Sequence, residues 1–268
     1  NLKNRNHHDY FDQMSTYSKE KEFSADKIAV ELCHKAGYSD NEVYNSFDVL
    51  MYSYLPFDEV EFPKNYFNST HFYVPEENFP SEKYEIKAEE DYNDDLSSHP
   101  NVKKRKDTVN VALSNFENWK DASFIISEKT FFEVRNIARF ESVRSDVLEG
   151  KFVNALYSIF LLEKEFPTSI YLQKMKAHSW LGLLNFKLNN QISEAVQTTS
   201  ELEGESAALH YLIKKMNKSA LVTTALREVY DVKTQYSEDK EIAMLYDKTI
   251  ERLASNSSFK MEDYSSKT

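Results

Sequence analysis

Glycine and proline are scarce in this 268-residue chain, at 4 and 6 residues. A dinucleotide fingerprint, a Walker-type phosphate loop and a kinase glycine loop each need several glycines within one turn, and no such cluster exists. So few turn-formers also exclude a hairpin-rich β-sandwich and make a mainly helical, all-α fold the expectation. A single cysteine, Cys33, rules out an intrachain disulfide. No apolar run approaches the 18 residues of a membrane span. Positive charge is also short. Lys and Arg total 33 against 44 Asp and Glu, a formal net charge of −11. A chain this acidic is not built to grip a phosphate backbone, and nucleic acid is excluded as a partner. The one basic run, Lys103-Lys104-Arg105-Lys106, reads as a solvated helix face.

Helical periodicity dominates what is present. Over residues 17–37, Ile28, Ala29, Leu32, Cys33 and Ala36 form an apolar stripe that ends at Gly37, a residue suited to a C-terminal cap. Ser39 and Glu42 stand at capping-box spacing before a second helix carrying Val43, Phe47, Leu50 and Met51. Residues 56–98 hold four prolines, many aromatics and no sustained period. They predict a long loop with a short strand at 71–74, which either covers a cleft or binds an extended peptide, or is simply packed by its own side chains. Pro100 predicts the first position of a third helix, with Val109, Ala112, Phe116 and Trp119 on one face. Six further helices follow, the last ending near Ala254, and residues 256–268 read as a flexible Ser- and Lys-rich tail. The expected division is therefore 1–125, containing the loop, 126–255, and the tail.

Gly150, Phe152, Ala155 and Pro167 fall at the spacing of a tetratricopeptide unit. The preceding helix matches that consensus poorly, with Arg139, Ser142, Val143 and Asp146 at its slots. Antiparallel helices in succession predict an α-solenoid of two or three divergent repeats, an unrelated helical bundle being the alternative.

The chemistry lies in the first helix. Glu22 to Asp26 reads E-x-x-A-D inside an S-K-x-x-E-x-x-A-D frame that starts at Ser18 and Lys19. Four residues apart on a helix, the two carboxylates share a face and repel unless a cation stands between them. A metal would be such a cation, although two solvated carboxylates arise at this spacing by chance. After the second helix and the loop comes Ser98-His99-Pro100, with Arg105 five residues past the proline. The order E-x-x-A-D, Ala36-Gly37-Tyr38, helix, S-H-P-x-x-x-x-R resembles the zinc metallopeptidases of the CAAX-prenyl-protease and HtpX class, gluzincins whose soluble two-domain members carry C-terminal tetratricopeptide helices. The resemblance covers residues 15–115. It implies the C-terminal half of a metallopeptidase domain followed by a tetratricopeptide-like solenoid, with Glu22 as the third protein ligand of one zinc ion and Asp26 as the partner of a ligating histidine. It further implies that His99 lies on a loop that touches or gates the metal, and that Arg105 anchors that loop. Peptide or protein substrates, partner proteins held by the repeats, a role in protein quality control, and a bacterial periplasmic or envelope location are implied by the same analogy.

The departure from that class is large. Its chemistry needs an H-E-x-x-H helix, and none of His7, His8, His34, His71, His99, His178 and His210 stands in one. The family places that helix upstream of E-x-x-A-D, and this chain opens on Asn1, 21 residues before Glu22. The expectation is a truncated enzyme, inactive as it stands. The alternative is a relative that has lost its site, a non-catalytic helical-repeat adaptor. The enzyme reading predicts Glu22 and Asp26 facing an open groove. The adaptor reading predicts them solvated or paired with Lys or Arg.

Overall fold

The structure is a computed structural model that describes residues 2–69 and 72–255, with the backbone alone over residues 2–14. Among the described residues it is all-α. Nine helices follow in order: α1 Leu2–Ala36, α2 Asp40–Tyr52, α3 Val102–Leu113, α4 Glu128–Leu148, α5 Phe152–Glu163, α6 Ile170–Leu188, α7 Ala207–Lys215, α8 Lys218–Gln235 and α9 Lys240–Ala254. None is long and apolar enough to cross a membrane. His71 and the tail from residue 256 lie outside the described residues; the strand expected at 71–74 reduces, in what is described, to one isolated bridge between Ser69 and Phe72.

The chain forms two compact units. The first comprises the chain up to Tyr54 together with Lys87–Val134, and the second comprises Leu55–Ile86 together with everything from Arg135 onward. In the first unit α1, α2 and α3 pack on one another around Val30, Val43, Phe47, Val109 and Leu113. The face that α1 buries is not the stripe the sequence offers. Ile28 and Leu32 are exposed, while Asp26, Val30 and Cys33 turn inward at i, i+4 and i+7. An apolar count cannot see this because a charged residue, Asp26, belongs to the inner face. Gly37 caps α1 as expected, at φ +90° with its N–H on Cys33 O. Ser39 caps α2 by accepting the Asn41 N–H, but Glu42 does not close the box; its carboxylate accepts from Ser123 Oγ at 2.7 Å. α3 starts later than Pro100 predicts, because Asn101 takes the cap and accepts the Lys104 N–H at 2.9 Å. It also ends earlier. Phe116 and Trp119 follow it in the chain and pack against the His34 ring, each 4.9 Å away.

In the second unit α6 lies against α5, α8 and α9, and Gly150 turns α4 into α5 at φ +76°. The predicted loop is here a structural part of this unit over Leu55–Ile86. Phe62, Phe67, Val74 and Phe79 are all at most 5 % exposed, and Phe67 meets Trp180 edge-on at 5.2 Å. Each such side chain contributes about 2 kcal/mol of burial, which is why a segment without regular structure has a fixed course. Polar ties support it: Tyr157 Oη donates to Val60 O at 2.6 Å, and Tyr66 Oη donates to Glu163. Beneath Tyr66, Lys176 is enclosed with Glu228 at 3.2 Å and Glu163 at 3.5 Å. Burial presses its pKa down, but Tyr66, Glu228 and Glu163 outweigh that and hold it raised, so the lysine stays charged.

His210 is buried in α7, its Nδ1 accepting the Gln197 N–H at 3.2 Å. Burial pushes its pKa from 6.5 down to about 4, so the neutral ring is the native form. The unfolded chain takes up the proton more readily. The contribution is therefore complete above pH 6.5 and is lost as pH falls towards 4, amounting to roughly 3 kcal/mol. Urea unfolding read from the 19F signal of 5-fluoro-Trp180 should show wild type losing that much more stability than His210→Gln between pH 7 and pH 4.

Candidate functional site

The residues that the sequence singles out meet in the first unit. α1 supplies Glu22 and Asp26, α3 supplies Arg105, and the residues before α3 supply His99. Arg105 grips Asp26 with two bonds, Nε to Oδ2 at 2.8 Å and Nη2 to Oδ1 at 2.7 Å. The same Nη2 lies 3.2 Å from Glu22 Oε2, and His99 Nδ1 lies 3.0 Å from Glu22 Oε1. One cation thus stands between two carboxylates that would otherwise repel, which meets the electrostatic need of the i, i+4 pair without a metal. Asp26 and Arg105 are largely covered, with side chains 10 % and 15 % exposed; Glu22 is half-buried and His99 is open to solvent at 61 %. The guanidinium also lies over the Phe47 ring at 5.6 Å, which closes it from the α2 side. The Asp26 hydrogen bonds, ahead of the Glu22 charge, raise the Arg105 pKa further, so the clamp is charged at every working pH.

The sequence offers two readings of these carboxylates, an open groove or pairing with Lys or Arg. They are paired with Arg, the arrangement that the adaptor reading predicts, and Asp26 is buried beneath its partner. The rest of the basic run is also engaged. Lys103 pairs with Asp107 at 2.8 Å, Lys104 with Asp94 at 2.7 Å, and Lys106 with Glu90 at 2.5 Å and Asp48 at 3.2 Å. Lys103 and Lys104 are exposed, as expected of a solvated face, whereas Arg105 and Lys106 are largely covered and reach carboxylates far away in the chain.

The arrangement does not by itself fit a zinc ion. Among the described residues no three His, Cys, Asp or Glu side chains converge. Glu22 and His99 would supply two ligands, one short of the three protein ligands of a catalytic zinc, and a guanidinium occupies the adjoining position. The remaining histidines with described side chains serve elsewhere. His34 reaches Glu117 O at 3.0 Å, and His178 meets Glu241 of α9 at 3.2 Å, a partnership invisible in sequence because it joins residues 63 apart. Cys33 is half-buried, and burial raises its thiol pKa, which leaves it a poor nucleophile. Sequence reasoning also missed the residues that shape the approach to His99: Ser97 Oγ accepts the His99 N–H at 3.1 Å, and Asn101 Nδ2 donates to Tyr92 O at 2.8 Å. Only the cap preference of asparagine before α3 could have pointed to one of them.

Comparison with known proteins gives one match. Residues 10–111 match the family model described as peptidase family M48, a span that contains all four clustered residues. No curated protein and no solved structure matches the chain.

Replacing Arg105 by Met leaves Asp26 covered and without a counter-charge, which costs about 3 kcal/mol. Lys at that position keeps the charge but not the two-pronged geometry, and should cost about 1 kcal/mol. Both values are measurable by urea unfolding followed on the 19F signal of 5-fluoro-Trp119, which packs in the same unit.

Proposed function

We propose, for a chain related to peptidase family M48 over residues 10–111, that it is part of a zinc-dependent metalloendopeptidase and that the Glu22 cluster belongs to its active site. The family consists of zinc metallopeptidases, so the reaction class is metal-assisted hydrolysis of a peptide bond in a protein or peptide substrate. The observation that carries the reading is the chain of contacts His99–Glu22–Arg105–Asp26, each link 3.2 Å or shorter, made by four motif residues from positions 22 to 105 inside the matched span. In this reading Glu22 is the third zinc ligand, Asp26 orients a ligating histidine, and His99 lies beside Glu22 on a loop that can gate the site. Arg105 holds that group together by fixing Asp26 and sharing Glu22.

The two histidine ligands and the general base of an H-E-x-x-H helix are not among these 268 residues, so no catalytic step is assigned to this chain, which is proposed to be inactive alone. The second unit, with its tetratricopeptide-like spacing, is proposed to bind partner proteins. A bacterial envelope location and a part in protein quality control rest on analogy with two-domain relatives. One observation favours a second reading, a non-catalytic helical adaptor: Arg105 already pairs with both carboxylates.

The test is made on the protein expressed from its whole reading frame. The peptidase reading expects about one bound zinc by elemental analysis and cleavage of casein, with both abolished in Glu22→Ala. Asp26→Asn should lower zinc affinity about 10- to 100-fold. A purified protein without zinc, without cleavage and indifferent to Glu22→Ala would leave the adaptor as the function.

A further inference from the structure

We infer that Asp94 is a positioning residue: it fixes the loop of residues 94–100 so that His99 stays against Glu22. The inference deepens the reading of this cluster given above, but its readout needs neither zinc nor catalysis.

The loop has little else to hold its shape. Leu96 is 92 % exposed and His99 projects into solvent; Pro100 is buried and pins the loop where it meets α3, but burial does not fix the stretch between Asp94 and Pro100. Hydrogen bonds do, and they converge on one carboxylate. The Asp94 side chain is 2 % exposed. Its Oδ2 accepts the Asn101 N–H at 2.7 Å, which joins the first residue of the loop to the cap of α3. Its Oδ1 accepts from Lys104 Nζ at 2.7 Å, with Lys19 Nζ 3.6 Å away. Its carbonyl accepts from Lys19 Nζ at 2.5 Å and from the Ser97 N–H at 2.9 Å. Ser97 then passes the constraint on. Its hydroxyl accepts the His99 N–H, and its carbonyl accepts from Ser15 Oγ of α1 at 2.6 Å.

Lys19 gives the remaining part of the S-K-x-x-E-x-x-A-D frame a task. It sits one turn before Glu22 on α1 and reaches across to the loop, while Arg105 reaches back from α3 to Glu22 and Asp26. The two helices exchange charge in both directions, and the loop carrying His99 is suspended between the two bridges. Lys104's hydrogen bond, working against burial, keeps the Asp94 carboxyl below its ordinary pKa, so the anion persists at neutral pH. An amide cannot replace it. Every neighbour of the Asp94 side chain is a donor, and asparagine would turn an NH2 towards either the Asn101 N–H or the Lys104 ammonium.

The experiment uses the 268-residue chain and three NMR readouts: the NOE between the His99 ring and the Glu22 side chain, the 15N shifts of the His99 ring, and amide exchange at Ser97, Ser98, His99 and Asn101. In Asp94→Asn the NOE should be lost, the ring shifts should move towards those of Glu22→Gln, and exchange at Ser97 and Asn101 should become about tenfold faster. Glu22→Gln itself should alter the ring shifts while leaving exchange in the loop as in wild type. Lys103→Gln, which breaks only the Lys103–Asp107 pair on the same helix, should change none of the three. A folded Asp94→Asn that keeps the NOE and the wild-type exchange overturns the inference. If that variant does not fold, Lys19→Met and Lys104→Met are measured in its place, each expected to weaken the NOE and speed exchange at Ser97. Wild-type behaviour in both overturns the inference equally.

Discussion

The first unit depends on a single guanidinium. Arg105 is the only described cation in contact with both Glu22 and Asp26 of α1, and it reaches them from a helix about 80 residues away in the chain. The pairing explains why α1 turns Asp26 inward. A bidentate arginine satisfies both carboxylate oxygens, so the charge can be covered by protein without the large penalty of an unpaired buried ion. Once Asp26 is inward, helical periodicity places Val30 and Cys33 on the same face, and Ile28 and Leu32 are left outside. The register of the helix is set by an ion pair, and the apolar residues follow.

That ordering decides what could be read from the sequence. Helix existence was legible from residue 17 onward, because scarce glycine and proline left few places to stop and because Gly37, Gly150 and Ser39 mark the turns where they stand; the part of α1 that precedes it, from Leu2, was not. Which face a helix buries was legible only where apolar residues decide it, and α1 and the start of α4 are decided otherwise; Val134 and Ile137 of α4 stand in solvent. The four site residues were found as isolated motifs. The resemblance implied that they share a site, but the Arg105–Asp26 pairing itself was not legible, since it depends on α3 folding back on α1. Likewise Asp94 and Glu90, which pair with Lys104 and Lys106, lie in a stretch that reads as featureless loop.

The segment Leu55–Ile86 shows the same limit from the other side. Its prolines and lack of period leave it, among the described residues, one 3-10 turn at Glu76–Asn78 and one isolated bridge, but absence of period is not absence of packing. Alternation tests detect one buried face of a regular element; they are silent on Phe62, Phe67, Val74 and Phe79, which enter the core one at a time from an irregular backbone. Buried charge completes the picture, with Lys176 neutralised by Glu163 and Glu228 under a tyrosine contributed by that segment.

The division of the chain has a consequence for synthesis. A ribosome delivers Phe62, Phe67, Val74 and Phe79 well before α5 and α6, the helices that cover them. At 5 to 20 residues per second, α6 is complete roughly 5 to 20 s after Phe79 has been made. During that interval the nascent polypeptide carries four large apolar side chains with no native surface to receive them, between two stretches that belong to the other unit. Long-range closure of this kind slows folding, and a translating chain in that state is a client for any factor that shields apolar segments.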